Sequence, residues 1–414
     1  MSERVPTPTH DAFSRVVVDG DCMVFGGRKL IELAAEIGRT PFYAYDRAAI
    51  TERIRHVRAH LPRGVHLHYA MKANPMPDVV RHVAGLVDGL DVASGGELAI
   101  ALAAGANPHT TSFAGPGKTD RELRSALAAG VIVNLESAGE MRRLAALAKT
   151  ARQRCRIAVR VNPDFELKSS GMKMSGGAKQ FGVDAEQVPG LLAELAGLPL
   201  DFVGFHIFAG SQNLSAAAIA EAQTGAVELA GRLAAAAPAP VRTLNIGGGF
   251  GIPYFANERS LDLAFIGRHL GGLVEEAARR LPEAALVIEL GRYLVGEAGI
   301  YVCRVIDRKV SRGQTFLVTD GGLHHHLAAS GNFGQVLRKN YPVLIGNKIQ
   351  GERRELASVV GPLCTPLDLL ADRMEMAEAK EGDLVVVMQS GAYGLSASPL
   401  GFLSHEPPVE VLVG

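Results

Sequence analysis

The chain has no tryptophan and only four cysteines, Cys22, Cys155, Cys303 and Cys364, with no CxxC pair among them. Cysteines spaced that widely exclude a disulfide framework or a structural zinc site and point to a reducing cytoplasm. Net charge is lacking too, since 43 Lys and Arg balance 43 Asp and Glu. Without a basic run there is no electrostatic footprint for nucleic acid and no pull toward anionic lipid. No apolar run approaches the length of a membrane span, and the polar, proline-containing start lacks the apolar centre of a signal peptide. No Gly-x-Gly-x-x-Gly fingerprint follows the first strand candidate, which weighs against a dinucleotide-binding sheet.

What is present is length and a repeating texture. The chain has 414 residues, 47% of them hydrophobic, enough for one large barrel and a second domain. Eight short apolar runs occupy residues 66–71, 90–93, 111–114, 131–135, 156–161, 201–207, 243–246 and 285–290. Amphipathic stretches with three- and four-residue apolar spacing separate them, such as 77–84, 96–104, 120–129 and 137–149. This alternation predicts an α/β fold with a (β/α)8 barrel over residues 36–290, a doubly wound sheet being the alternative. From about Gly296 the texture turns β-branched, at 299–306, 315–319, 357–360 and 384–388, which predicts an all-β domain over 291–414. Residues 10–35, with a β-like piece at 13–25, are predicted to contribute an N-terminal strand to it. The Gly- and Ser-rich stretch 166–179 reads as a lid over the barrel mouth.

In a parallel barrel, chemistry collects at the carboxyl ends of the strands. Each of the eight runs ends in polar or glycine residues. In order these are Lys72; Ser94, Gly95 and Glu97; Gly115-Pro116; Glu136; Arg160 and Asn162; His206; Gly247–Gly249; and Glu289 through Arg292.

Lys72 closes a buried-looking strand beside small residues and an Asn-Pro stop. Desolvation there lowers an amine's pKa and frees it to attack a carbonyl, as a Schiff-base lysine for pyridoxal phosphate must; the alternative is a lysine that snorkels from the rim. Gly247, Gly248 and Gly249, with Gly251 behind them, leave bare N–H groups that can wrap a phosphate or simply make a tight turn. Ser211 and Arg292 can add donors to the same dianion. Glu289 ends an apolar strand and needs a cation or donor, either a pyridine nitrogen or a salt bridge to Arg160 or Arg292. His206 can stack on a flat ring or serve as a hydrogen-bonded core residue. His324-His325-His326, read as a strand, would point to alternate faces, so no metal site is expected. Cys364, in the turn Gly361-Pro362-Leu363-Cys364, can supply a proton if it reaches an active site. Tyr393, on a glycine-flanked loop, can bond a phosphate or a substrate.

The segments YAMKANP, DVASGGEL, FAGPGK, RVNPDF, KQFG, GFHI, GSQ, LNIGGGFG, ELGRYLV, TDGG, GPLC and SGAYG occur in that order over about residues 40–403. Together they resemble the fold-type III pyridoxal-phosphate decarboxylases, the family of the diaminopimelate, ornithine and arginine decarboxylases. The resemblance implies an alanine-racemase-like barrel with a β domain, and a head-to-tail homodimer with shared active sites acting on a small amino acid. It implies that Lys72 carries the cofactor, that His206 stacks on its ring and that Glu289 holds its pyridine nitrogen. Ser211, Gly247, Gly248, Gly249, Gly291, Arg292 and Tyr393 would hold the phosphate side, with Asp91 and Arg160 in support. Cys364 of the partner subunit would return a proton to the substrate carbon.

Two features depart from the lysine- and polyamine-pathway members. Thr365 stands after the GPLC cysteine, where those enzymes usually place an acidic residue that grips the distal amine. The stretch from His206 to Gln212 is two residues longer than the usual His-x-Gly-Ser-Gln. Both features, and TDGGLHHH with NYPV, are similar to the branch acting on conjugated or carrier-tethered amino acids, which includes homologues found with exosortase and exopolysaccharide clusters. The expectation is therefore an α-decarboxylase for an amino acid without a free distal cation, with an acyl-carrier protein as a further partner. Substrate-binding candidates are Asp320, Thr365, Arg292 and Tyr393. Diaminopimelate decarboxylation is the alternative, since Asp320 can still meet an amine. An amino-acid racemase is disfavoured by Cys364 at the site of the usual tyrosine base, and a non-catalytic cofactor-binding module by the filled catalytic positions.

Overall fold

The computed structural model describes residues 10–165, 172–173 (backbone only), 177–335, 337–351 and 353–414. The chain separates into two compact units: one is Thr51–Ile252 with Ser260–Tyr293, the other Met1–Ile50 with Pro253–Arg259 and Leu294–Gly414.

The first unit is built on eight parallel strands: β1 (Val65–Ala70), β2 (Gly89–Val92), β3 (Thr111–Phe113), β4 (Ile132–Leu135), β5 (Cys155–Asn162), β6 (Leu200–Ile207), β7 (Thr243–Gly248) and β8 (Ala285–Leu290). They pair in chain order, and β8 pairs with β1, so the sheet closes on itself and leaves no edge. All eight apolar runs are strands, their ends moved by a residue or two. Side chains alternate along each strand. In β1, Leu67 and Tyr69 are fully buried on one face while His68 and Ala70 share the other.

Helices begin directly after the rim because hydroxyl side chains stop the strands and start the turns. Ser94 accepts from the backbone of Glu97, Thr119 and Glu122 form a reciprocal capping box, and Ser137 accepts from the backbone of Glu140. Each such cap contributes about 1 kcal/mol and fixes where its helix begins. The helices Pro77–Ala84 and Asp120–Ala129 start and stop where their spacing predicts.

The second unit is a mixed β-structure. Its main sheet runs Val343–Ile345, Leu384–Val387, Gly299–Ser311, Gln314–Thr319, Arg354–Val360, Leu369–Ala377. Phe42–Asp46 adds to the same system, antiparallel to Gly299–Ser311 and parallel to Val409–Val413. Leu30, Leu33, Phe42, Ala44, Ile300, Val302, Leu384 and Val386 form its core.

The structure differs from the sequence reading in four places. Phe42–Asp46, expected within the barrel stretch, is a strand of the β unit, because all but its last residue is fully covered by strands 250 or more residues away. The unit boundary therefore falls at Ile50 rather than near residue 36, and Pro253–Arg259 also belongs to the β unit, where Tyr254 packs on Tyr341 at 4.7 Å. The N-terminal piece is not a strand of the main sheet but its own three-stranded sheet, Val17–Asp19, Cys22–Phe25 and Arg28–Lys29. His324–His326 lie in a turn, not a strand. Most of the candidate lid, 166–171 and 174–176, lies outside the described residues. Among the described residues no helix is long and apolar enough to cross a membrane.

Candidate active site

Every barrel strand carries at least one buried polar residue within or at the end of its apolar run, among them His68, Asp91, Ser112, Asn134, Arg160, His206, Asn245 and Glu289, from β1 to β8 in order. A buried polar group persists only where partners satisfy it. His68 Nδ1 lies 3.2 Å from Asp91 Oδ1, Ser112 Oγ donates to the same oxygen at 2.6 Å, and Asn134 Nδ2 donates to Ser112 Oγ at 3.1 Å. His206 and Glu289 meet at 3.0 Å although β7 separates their strands, so both face the barrel interior.

Glu289 is the electrostatic centre. Its Oε2 accepts from His206 Nε2, with Asn245 Nδ2 at 3.4 Å, and its Oε1 lies 3.8 Å from Lys72 Nζ. Burial opposes ionisation, but the His206 hydrogen bond and the charges of Lys72, His206 and Arg160 outweigh it. The carboxyl is held well below the usual carboxylate range. The salt bridge to Arg160 or Arg292 left open by the sequence is not the pairing found. Arg160 Nη1 instead donates to Glu136 Oε1 at 2.8 Å.

Lys72 sits in the turn Met71–Ala73 just past β1. It is not desolvated as expected: its side chain is 42% exposed, because the turn lifts it off the strand's buried face. The amine stands 5.4 Å from the ring centre of Phe208. Phe208 belongs to the lengthened stretch after β6, and it also abuts Gly247, whose missing Cβ would come within 2.9 Å of the ring. Phe208 thus lies between the amine and the glycine turn. Sequence reasoning noted the longer loop but not this residue.

The glycine turn is required by the backbone. Gly247 and Gly249 have φ of +67° and +77°, and a Cβ on Gly248 would sit 2.2 Å from the carbonyl oxygen of Glu289. Asn245 Oδ1 accepts from the backbone of Gly247 at 2.8 Å and fixes the turn's entry. The loop bearing Ser211 is tied to this turn: Asn213 donates its backbone N–H to the carbonyl of Gly249 at 2.9 Å. Gly291 is just as constrained, since a Cβ there would meet the Ala70 carbonyl oxygen at 2.8 Å, beside the Lys72 turn. Arg292 opens the short helix Arg292–Val295.

The remaining site candidates lie in the β unit. Cys364 is exposed, in a turn anchored by buried Asp368, which accepts from the backbones of Leu363 at 2.8 Å and Leu323 at 2.6 Å. Thr365 Oγ1 accepts from the backbone of Leu367 at 3.3 Å. Tyr393 holds a φ of +53°, an unusual conformation for a tyrosine. Asp320 is already engaged, accepting from Thr40 and from the backbone of Arg304. Burial lowers the pKa of His324 to about 3, and His324 packs on His325 at 3.7 Å between ring centres. Among the described residues no group of three or more His, Cys, Asp or Glu is placed to hold a metal ion.

The barrel residues fit pyridoxal phosphate. A reachable primary amine, a buried ionised carboxylate and a glycine turn without side chains are the three features its aldehyde, pyridine nitrogen and phosphate need. Two further atoms, Nδ1 of His206 and Oδ2 of Asp91, are buried without a hydrogen-bond partner among the described residues.

Comparison with known proteins agrees. The family model for the pyridoxal binding domain of pyridoxal-dependent decarboxylases matches residues 47–296. The chain is 38% identical to the L-glutamyl-[BtrI acyl-carrier protein] decarboxylase of Niallia circulans, over 90% of this chain and 88% of that one. It is 31% identical to the 2-[(L-alanin-3-ylcarbamoyl)methyl]-2-hydroxybutanedioate decarboxylase of Staphylococcus aureus, over 91% and 95%. The diaminopimelate decarboxylase of Helicobacter pylori, solved with L-lysine, superposes with a TM-score of 0.82 at 26% identity, over 93% of this chain and 94% of that one.

Proposed function

The chain belongs to the pyridoxal-dependent decarboxylases and is a carboxy-lyase; from that premise we propose that its substrate is an amino acid without a free distal cation, conjugated or tethered to an acyl-carrier protein. The observation that carries this reading is Thr365, a neutral residue whose hydroxyl is turned onto its own loop at Leu367. A distal ammonium would have no carboxylate to meet there, which costs a buried pair about 2–5 kcal/mol. The relatives named for a carrier-bound glutamyl group and for a conjugated alanine support it. The alternative, free diaminopimelate, has the Helicobacter fold neighbour in its favour.

In this reading Lys72 carries the cofactor through its amine. Glu289, kept ionised by His206 and the nearby cations, takes the pyridine nitrogen. His206 packs against the ring. Gly247, Gly248 and Gly249, with Ser211, Gly291 and Arg292, would hold the phosphate, and Asp91 and Arg160 support the floor. When bound, the cofactor supplies an electron-withdrawing ring that accepts the electron pair left as CO2 departs. The chain's own work is to orient the substrate carboxylate, to exclude water and to return a proton. Cys364 of the partner subunit, in a cytoplasmic homodimer, returns that proton.

CO2 release from glutamyl-carrier protein, free diaminopimelate, lysine and ornithine separates the substrates, and turnover is expected only with the carrier-bound group. Rapid turnover of free diaminopimelate would overturn the preference. Replacing Lys72 with Ala is expected to abolish the yellow absorbance of the covalently held cofactor. Its full retention would overturn the assignment of Lys72.

A further inference from the structure

Two carboxylates face the barrel interior on either side of a single imidazole. In the sheet order β8, β1, β2, the residue paired with Glu289 is His68, and the residue His68 reaches across to is Asp91. All three side chains are buried. Two buried carboxylates this close in register repel, and a cation between them offsets that repulsion.

The sequence makes room for that cation. His68 can lean toward Asp91 only because residue 89, its partner on β2, is glycine: a Cβ there would sit 2.6 Å from the imidazole and 2.1 Å from the Thr110 carbonyl oxygen. The ring is then clamped through Nδ1, while Ser112 donates to the same Asp91 oxygen from the other side. We infer that His68 is a positioning residue that stays positively charged in the barrel floor and thereby offsets the repulsion between Glu289 and Asp91. This rests on the reading of Glu289 as the partner of the pyridine nitrogen, since only an ionised Glu289 keeps that nitrogen protonated.

The charges around the ring agree. Burial opposes a charge on His68, but Asp91, its hydrogen bond, Glu289 and Asp88 outweigh burial and raise its pKa. Asp88 is itself paired with Arg58 at 2.6 Å. Glu289 also feels the His206 hydrogen bond and the charges of Lys72 and Arg160.

The test uses the whole chain and two readouts. Nitrogen-15 chemical shifts of the His68 ring in the cofactor-loaded wild type are expected to show a doubly protonated imidazole at neutral pH; a neutral ring would overturn the inference. In His68→Asn the amide keeps a donor near the Nδ1 position but carries no charge. Binding of pyridoxal phosphate, followed by absorbance at neutral pH, is expected to be about tenfold weaker than wild type, because the two carboxylates then repel without a cation between them. Binding equal to wild type would overturn the role of His68 and leave the decarboxylase reading standing, whereas failure of the wild type to bind the cofactor would overturn both.

Discussion

Arg160 donates to Glu136 across 2.8 Å, and the same carboxylate accepts the backbone N–H of Gly115 at 2.5 Å and of Gly182 at 3.1 Å. One side chain thus ties the ends of β3 and β5 and the segment that returns from the candidate lid. Arg160 also stacks its guanidinium 5.0 Å from the ring centre of Phe181. The Glu136→Gln variant leaves a buried guanidinium without its counter-charge, and is expected to lose about 3–5 kcal/mol of stability in denaturant unfolding. Stability unchanged within error would show that the rim is held by something else.

The same carboxyl predicts an acid response. Burial alone would raise its pKa, but Arg160, Lys118 and the Gly115 backbone outweigh burial and lower it. A carboxyl depressed by folding contributes its full stability above its unfolded pKa, about 4.3, and loses it as pH falls through the folded value. The stability gap between wild type and Glu136→Gln is therefore expected to be constant above about pH 5 and to close below about pH 4. Unfolding midpoints measured across that window check the sign; a gap that widens in acid would contradict it.

Gly248→Ala tests the glycine turn. The added Cβ would meet the Glu289 carbonyl oxygen at 2.2 Å and Leu290 Cδ2 at 2.6 Å, between strands whose register pairs these residues. Backbone must shift, at a cost of about 1–3 kcal/mol. Both the melting temperature and the cofactor content of the purified protein are expected to fall. A variant that melts lower yet keeps full cofactor would separate the turn's structural role from phosphate binding.

Much of this was legible before the structure. The eight strands and the rim position of Lys72, His206 and Glu289 follow from apolar runs that end in polar residues. What stayed hidden was pairing. Glu136 stood out as a rim residue, but its partners lie 24 and 46 residues away, and no local pattern names them. His68, Ser112, Asn134 and Asn245 carried a readable signal, a polar residue inside an apolar strand, which is costly unless satisfied. Phe42–Asp46 misled because a fully buried strand has the same texture in either unit, and only its long-range pairing with Gly299–Val302 assigns it. Lys72 misled because burial was inferred from its strand, whereas it lies in the turn beyond.

Glu289→Gln keeps the shape and removes the charge. With the carboxylate gone, the pyridine nitrogen loses the partner proposed to keep it protonated, and kcat is expected to fall about 10²–10³-fold in a CO2-release assay. Because His206 and the nearby cations hold Glu289 far below the usual carboxylate range, its protonation should not limit the wild-type rate at mildly acidic pH. A wild-type acid limb that vanishes in Glu289→Gln would contradict that ordering.

Thr365→Glu tests substrate choice. Thr365 is half-buried, next to exposed Cys364, in a turn anchored by Asp368, so a longer acidic side chain can be placed there without disturbing a core. If the neutral residue is what disfavours a distal ammonium, a carboxylate at that point should favour one over a neutral, conjugated substrate. The ratio of kcat/KM for free diaminopimelate to that for the carrier-bound glutamyl group is expected to rise at least about tenfold, equivalent to about 1.4 kcal/mol. Loss of activity on both substrates in equal proportion would mean that residue 365 supports the cysteine turn rather than reading the substrate, and the reason for the preference would have to be sought in Phe208 and the lengthened loop that carries it.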